Sequence, residues 1–249
     1  MREIIKAKLR EIEEKEKVKI ILAVESGSRA WGFASPDSDY DVRFIYVRKE
    51  EDYLRLNPPR DVIEWQLDET LDINGWDLKK TLQLLHNANP TVFEWFMSPI
   101  IYQEREAAAL LRAILPAYFS IKKSLFHYYR TAETTYKAHL QGESVRIKKY
   151  FYALRPLLAA KWIMDKKCPP PMLFSELVEA ELEEELRPEV TRLVDMKVNM
   201  LEADHAPKLE VLNAYIERHL EEVKQMAETA VVSPVEWAPL NEVFLKILR

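Results

Sequence analysis

The chain contains a single cysteine, Cys168. No disulfide can form within it, and its stability has to come from packing. Glycine is nearly as scarce, with four in 249 residues, so each one marks a place where the backbone has a special need. No run approaches the ~18 apolar residues of a membrane-crossing helix. The opening segment MREIIKAKLREIEEKEK is charged and amphipathic and lacks the apolar core of a secretory signal. The expectation is a cytoplasmic protein without membrane association. An excess of positive charge is missing too: 36 Lys and Arg against 41 Asp and Glu leave a net charge of −5. Bulk electrostatics do not make this chain a polyanion binder, and any nucleic-acid contact must use a local basic patch.

What remains is a globular composition, 48% hydrophobic and 31% charged, sufficient for one or two domains with a substantial core. Low glycine with plentiful Leu, Glu, Ala and Lys favours helix. Residues 2–16 place Ile4, Ile5, Leu9 and Ile12 at helical spacing. The nearly continuous apolar run VKIILAV (18–24) reads as a strand buried on both faces. Further strands are expected over 41–47, 61–67 and 70–74, the last two joined at Asp68-Glu69, with a short helix over 49–56 ended by Pro58-Pro59. Beyond Leu78 strand signals fade. Helices are expected over 78–87 and then about 104–115, 118–140, 143–166, 174–182, 188–202, 207–230 and 234–248, punctuated by Gly142 and prolines. A domain boundary is placed near 98–104.

The chain is organised around residues 24–47, VESGSRAWGFASPDSDYDVRFIYV. An apolar strand ends in Gly27-Ser28, and Asp39-Tyr40-Asp41 opens the next strand. Asp39 and Asp41 are two residues apart, so both carboxylates point to one face. Paired carboxylates repel, and a divalent cation such as Mg²⁺ removes that cost. Gly27 permits close backbone approach, Ser28 adds a hydroxyl and an N–H, and a short helix over 29–33 would aim its N–H groups at the same point. Anion donors beside a carboxylate pair suggest a site for a nucleoside triphosphate and its metal.

Asp72, flanked by Leu71 and Ile73, is a third carboxylate candidate. Asp77 competes with it, although an Asp preceding LKKTLQLL also reads as a helix N-cap; Glu64 is a weaker candidate. In the helical half, RIKKYFYALRPLLAAKW (146–162) sets Lys148, Tyr152 and Arg155 on one stripe, with Lys149 adjacent. Such a stripe could clamp a triphosphate or an RNA backbone, or simply be a solvated helix face. Pro156 is expected to kink this helix. His127, in His127-Tyr128-Tyr129-Arg130, reads more readily as a packed histidine than as a base.

The segment GSRAWGFASPDSDYDV resembles the signature of the DNA polymerase β-like nucleotidyltransferases: Gly-Ser, a short gap, then Asp-x-Asp. Together with DINGWDLKKTLQLL, NPTVFEWFMSPIIY and KKYFYALRPLLAAKWI, it is similar to the RNA-repair-pathway, RNA-ligase-associated branch, over about residues 20–165. The resemblance implies an α+β fold: a small mixed sheet flanked by helices (1–100) and an all-helical C-terminal domain (101–249) closing the nucleotide and acceptor cleft. It implies that Gly27, Ser28 and Arg29 hold the triphosphate of an NTP such as ATP. It implies two Mg²⁺ or Mn²⁺ ions on Asp39 and Asp41, with Asp72 as third carboxylate. Lys148, Lys149, Tyr152 and Arg155 match the family's helical motif. The implied reaction moves a nucleoside monophosphate to a hydroxyl, on RNA or else on a protein or small molecule. A nucleotide-binding protein without turnover is the contrasting reading. The helical half offers a surface for a homodimer.

Overall fold

The computed structural model describes residues 1–68, 70–199 and 205–249. Along the chain run α1 (Arg2–Glu16), β1 (Lys19–Glu25), α2 (Gly27–Trp31), β2 (Tyr40–Val47), α3 (Glu50–Tyr53), β3 (Val62–Asp68), β4 (Leu71–Asp77), α4 (Leu78–His86), α5 (Pro90–Met97), β5 (Ile101–Glu104) and α6 (Ala107–Ile114). There follow α7 (Ile121–His139), β6 (Ser144–Arg146), α8 (Ile147–Lys166), α9 (Phe174–Glu181), α10 (Arg187–Asn199), β7 (His205–Pro207), α11 (Glu210–Thr229) and α12 (Ala238–Leu248). Glu69 of the expected Asp68-Glu69 turn, and the end of the helix expected to 202, lie outside the described residues.

The chain divides into two compact units. The first comprises 1–30, 39–118 and 234–249, and the second 31–38 and 119–233. The first holds a five-stranded sheet in the order β3-β4-β2-β1-β5. Among the described residues β2 and β4 run parallel, and the other pairings are antiparallel. The α+β class read from the sequence is what the structure shows.

One sheet face explains the burial pattern. Val42, Phe44 and Tyr46 alternate toward the apolar side of α1, where Ile5, Leu9 and Ile12 are fully buried. Period-two alternation then directs Asp41 and Arg43 to the opposite face. That choice of face positions the site.

The structure departs from the sequence expectations at the strands whose partners are distant. β5 extends the sheet where the boundary near 98–104 was expected, and the first unit continues to Tyr118. It also recovers α12 from the C-terminal end. The second unit is mostly helical but includes the two-stranded ribbon of β6 and β7, so the expected helix over 143–166 begins instead at Ile147. Three-residue strands have too few positions to show a periodicity, and only the partner strand makes them strands. α8 runs unbroken through Pro156, in the interior of a core that includes Phe33, Phe151, Leu157 and Leu220.

Candidate active site

Asp41 lies at the start of β2 and Asp72 at the start of β4. These strands are parallel neighbours in which Asp41 stands at the register position of Asp72. The two carboxylates therefore emerge side by side. A single guanidinium lies between them. Arg43 Nη2 donates to Asp41 Oδ1 at 2.9 Å and to Asp72 Oδ2 at 2.7 Å, while Nη1 donates to the Asp72 carbonyl at 3.2 Å. Arg43 is two residues beyond Asp41, so the period that aligns Asp39 with Asp41 brings Arg43 to the same face. The sequence reading passed over it, although DYDVR displays the pattern.

Burial pushes the Asp41 carboxyl above its ordinary range. The nearby charges of Asp72 and Asp39 push the same way, against the pull of Arg43. This is the electrostatic state of a carboxylate set that attracts a cation. Asp39 is exposed in the turn before β2. Its carbonyl accepts from Arg29 Nε at 3.0 Å, and the Arg29 guanidinium lies 3.7 Å from the centre of the Tyr40 ring. Arg29 thus braces the Asp39 turn. Among the described residues no three acidic, His or Cys side chains are gathered so as to hold a metal ion. The convergent pair is Asp41 and Asp72. Its hard oxygens suit Mg²⁺ or Mn²⁺, and its shared Arg43 shows that one cation can satisfy both.

Two further residues build this pair. Gly27 follows β1 with φ +58°, a left-handed backbone that favours glycine. A Cβ there would lie 2.1 Å from Asp41 Oδ2, so the absence of a side chain at 27 is what lets the carboxylate lie against the backbone. Gly27→Ala is expected to cost about 1–3 kcal/mol from the left-handed conformation and the displaced carboxylate together. Thermal melts check this, and an unchanged melting temperature would show that the turn relaxes freely.

Glu25, the last residue of β1, is fully buried. Its Oε1 accepts the Asp41 N–H at 2.8 Å and its Oε2 accepts from the Tyr102 hydroxyl. Burial raises its carboxyl pKa, while the bonds from Tyr102 and Asp41 oppose the rise. The sequence reading missed Glu25. The available signal was a charge closing an otherwise apolar strand.

The alternatives for a third carboxylate separate cleanly. Asp77 is buried, caps α4 by accepting the Lys79 N–H at 2.7 Å, and accepts from the Tyr53 hydroxyl at 2.9 Å. It lies five residues beyond Asp72 and so on the other face of β4. Glu64, on β3, is exposed and paired with Arg60 at 2.8 Å. The basic residues of the helical motif belong to the second unit. Arg155 is buried there, its Nη2 3.3 Å from the Met172 sulfur and its guanidinium over the Trp31 ring. Lys149 lies over the Tyr152 ring at 5.7 Å. His127 packs edge-on to Tyr128.

A family model described as the RNA repair pathway DNA polymerase beta family (RlaP) matches residues 1–246. The uncharacterized protein YcgL of Bacillus subtilis (strain 168) is 44% identical over 230 residues, which span 92% of this chain and 88% of that protein. A solved structure, the nucleotidyltransferase-like protein from Exiguobacterium sibiricum 255-15, aligns with 97% of this chain and 80% of its own, at 16% identity and a TM-score of 0.33.

Proposed function

The chain belongs to the RNA repair pathway DNA polymerase beta family, and from that premise we propose that it transfers a nucleoside monophosphate from an NTP to an acceptor hydroxyl, with RNA as the acceptor. The observation that supports this reading best is Asp41 and Asp72 at one register of adjacent parallel strands, sharing a cation. RNA as acceptor rests on the family description alone.

In this reading Asp41 and Asp72 would hold Mg²⁺ or Mn²⁺, with Asp39 adding negative charge from the turn before β2. The bound ion supplies Lewis-acid polarisation of the phosphoryl oxygens and charge neutralisation for departing pyrophosphate. The chain's own residues do the rest. Glu25 fixes the backbone at Asp41, and Gly27 leaves room for its carboxylate. Gly27, Ser28 and Arg29 line the approach for the triphosphate. Asp72, with its side chain half exposed, accepts the proton of the attacking hydroxyl. The new O–P bond forms at the α-phosphate as the bond to pyrophosphate breaks.

Arg43 has a distinct part. It neutralises Asp41 and Asp72 here and would give way to a metal bound at the same place. Arg43→Ala is therefore expected to cost the metal-free protein about 1 kcal/mol, because the pair is partly exposed. For a chain of this size that is a fall in melting temperature of about 2–4 °C. Mg²⁺ should recover more stability in the variant than in the wild type. Equal Mg²⁺ responses would argue against Arg43 and the metal sharing one place.

The direct test is incubation with each α-labelled NTP, Mg²⁺ or Mn²⁺, and total RNA with cell lysate. Label on RNA supports the proposal. Label on protein would move the acceptor to another class, and no label with any nucleotide and metal would count against transfer.

A further inference from the structure

The second unit carries a cluster of positive charge that the transfer chemistry does not use. The ribbon of β6 and β7 and the start of α8 border an open pocket of about 470 Å³, lined by His139, Arg146, Lys149 and His205 together with neutral residues. No acidic side chain is among its described lining residues. In a chain of net charge −5, this is a local reversal of sign.

Arg146 and His205 are register partners across the antiparallel ribbon, and both line the pocket. Arg146 also precedes α8, and Lys148 and Lys149 occupy its first turn. That turn has no acidic residue, and no side chain caps it. Cations at the positive end of a helix are unfavourable, and Asp, Glu or Ser would be the ordinary choice. Lys149 and His139 both have pKa values lowered, first by burial and then by neighbouring cations: Lys148 and Arg146 for Lys149, Lys149 and Arg146 for His139. Violations of local preference gathered at one pocket mark a functional surface rather than a stability device.

We propose that this pocket is a phosphate-binding site, with Arg146 and Lys149 as its principal donors and His139 and His205 at its rim. An anion in the pocket would offset the mutual repulsion of these cations and the cost of placing them at the helix start. Arg supplies a planar fork to phosphate oxygens, and Lys a point charge. The phosphate belongs to the backbone or terminus of RNA; that assignment rests on the transferase reading, whereas the pocket's preference for phosphate does not. The site lies wholly within the second unit.

Fluorescence anisotropy with a labelled, 5′-phosphorylated single-stranded RNA tests it, using full-length wild type, Arg146→Ala/Lys149→Ala and Arg146→Lys. A parallel arm uses ATP without metal. The double variant should bind RNA about tenfold more weakly, as expected on losing charge-assisted contacts. Its plot of log affinity against log salt should flatten by ~1.4, the value for two single-strand phosphates. Arg146→Lys should keep most of the binding. Because the substitutions remove mutual repulsion, the double variant should melt no lower than wild type in the absence of ligand. RNA binding unchanged with ATP binding weakened would retain the phosphate site and overturn RNA as its source. Affinity unchanged for both, with the wild-type salt slope, would overturn the proposal. Asp41→Asn serves as the separate control. It should bind RNA as wild type does while losing transfer, and transfer retained in Asp41→Asn would sink the transferase reading without touching this pocket.

Discussion

Asp41→Asn is expected to lower nucleotide transfer by about 10²–10³-fold, the order seen when a charge-stabilising catalytic group is deleted, with little loss of stability. Few residues combine so large a functional effect with so small a structural one. Burial and the charges of Asp72 and Asp39 raise the Asp41 carboxyl pKa, with Arg43 as the countering influence. Asparagine keeps the shape and removes the charge. Its amide oxygen can still accept from Arg43, now without the charge assistance of the 2.9 Å bond, and Arg43 retains its 2.7 Å bond to Asp72. The pH dependence has a definite sign. A carboxyl whose folded pKa lies above its ordinary 3.8 contributes stability that is complete below 3.8 and is lost as pH rises through the raised value. The wild type therefore carries this penalty at neutral pH and the variant does not. Melts across pH should show Asp41→Asn gaining on wild type as pH climbs from 4 toward neutrality. A variant that melts far below wild type at neutral pH, or one that keeps its transfer activity, would refute the assignment of Asp41.

Glu25→Ala should give the largest loss of stability of any substitution at the site, about 3–5 kcal/mol. Its carboxylate is fully buried and accepts from two donors, the Asp41 N–H and the Tyr102 hydroxyl. Removing it strands both in the interior, at about 1–3 kcal/mol each, and leaves a void beside them. For a chain of this length the melting temperature should fall by about 10 °C. Glu25→Gln separates shape from charge. Its amide oxygen can still accept the Asp41 N–H, and its NH₂ can donate to the Tyr102 oxygen, so it should lose less than about 1.5 kcal/mol and retain most transfer. Calorimetry and transfer assays on both variants decide the matter. If glutamine proves as damaging as alanine, the charge of Glu25 is itself required and its role exceeds anchoring β2.

The polar face of β2 was legible in the chain because it is a local property. Asp41 and Arg43 recur at period two, opposite Val42, Phe44 and Tyr46, and no tertiary information is needed to place them on one face. Asp77 as a helix cap was legible for the same reason, since the residues it caps follow it directly. The Gly27-Ser28 turn announced itself through the scarcity of glycine. Its particular purpose, space for a carboxylate oxygen, required the approach of β2.

By itself, then, the sequence determined the α+β class, the central strands, most of the helical succession after Leu78 and family membership, and it offered Asp39 and Asp41 as candidates. The tertiary structure decided which residues become neighbours. It set β4 parallel to β2 with Asp72 at the register of Asp41, put Arg43 between them, buried Glu25 beneath the Asp41 backbone and paired His205 with Arg146. The physical reason is that a strand's alternation specifies its faces but not its partner. Register between segments distant in the chain is chosen by what the whole sheet and core can bury, and a three-residue strand such as Ser144–Arg146 exists only once that partner has arrived.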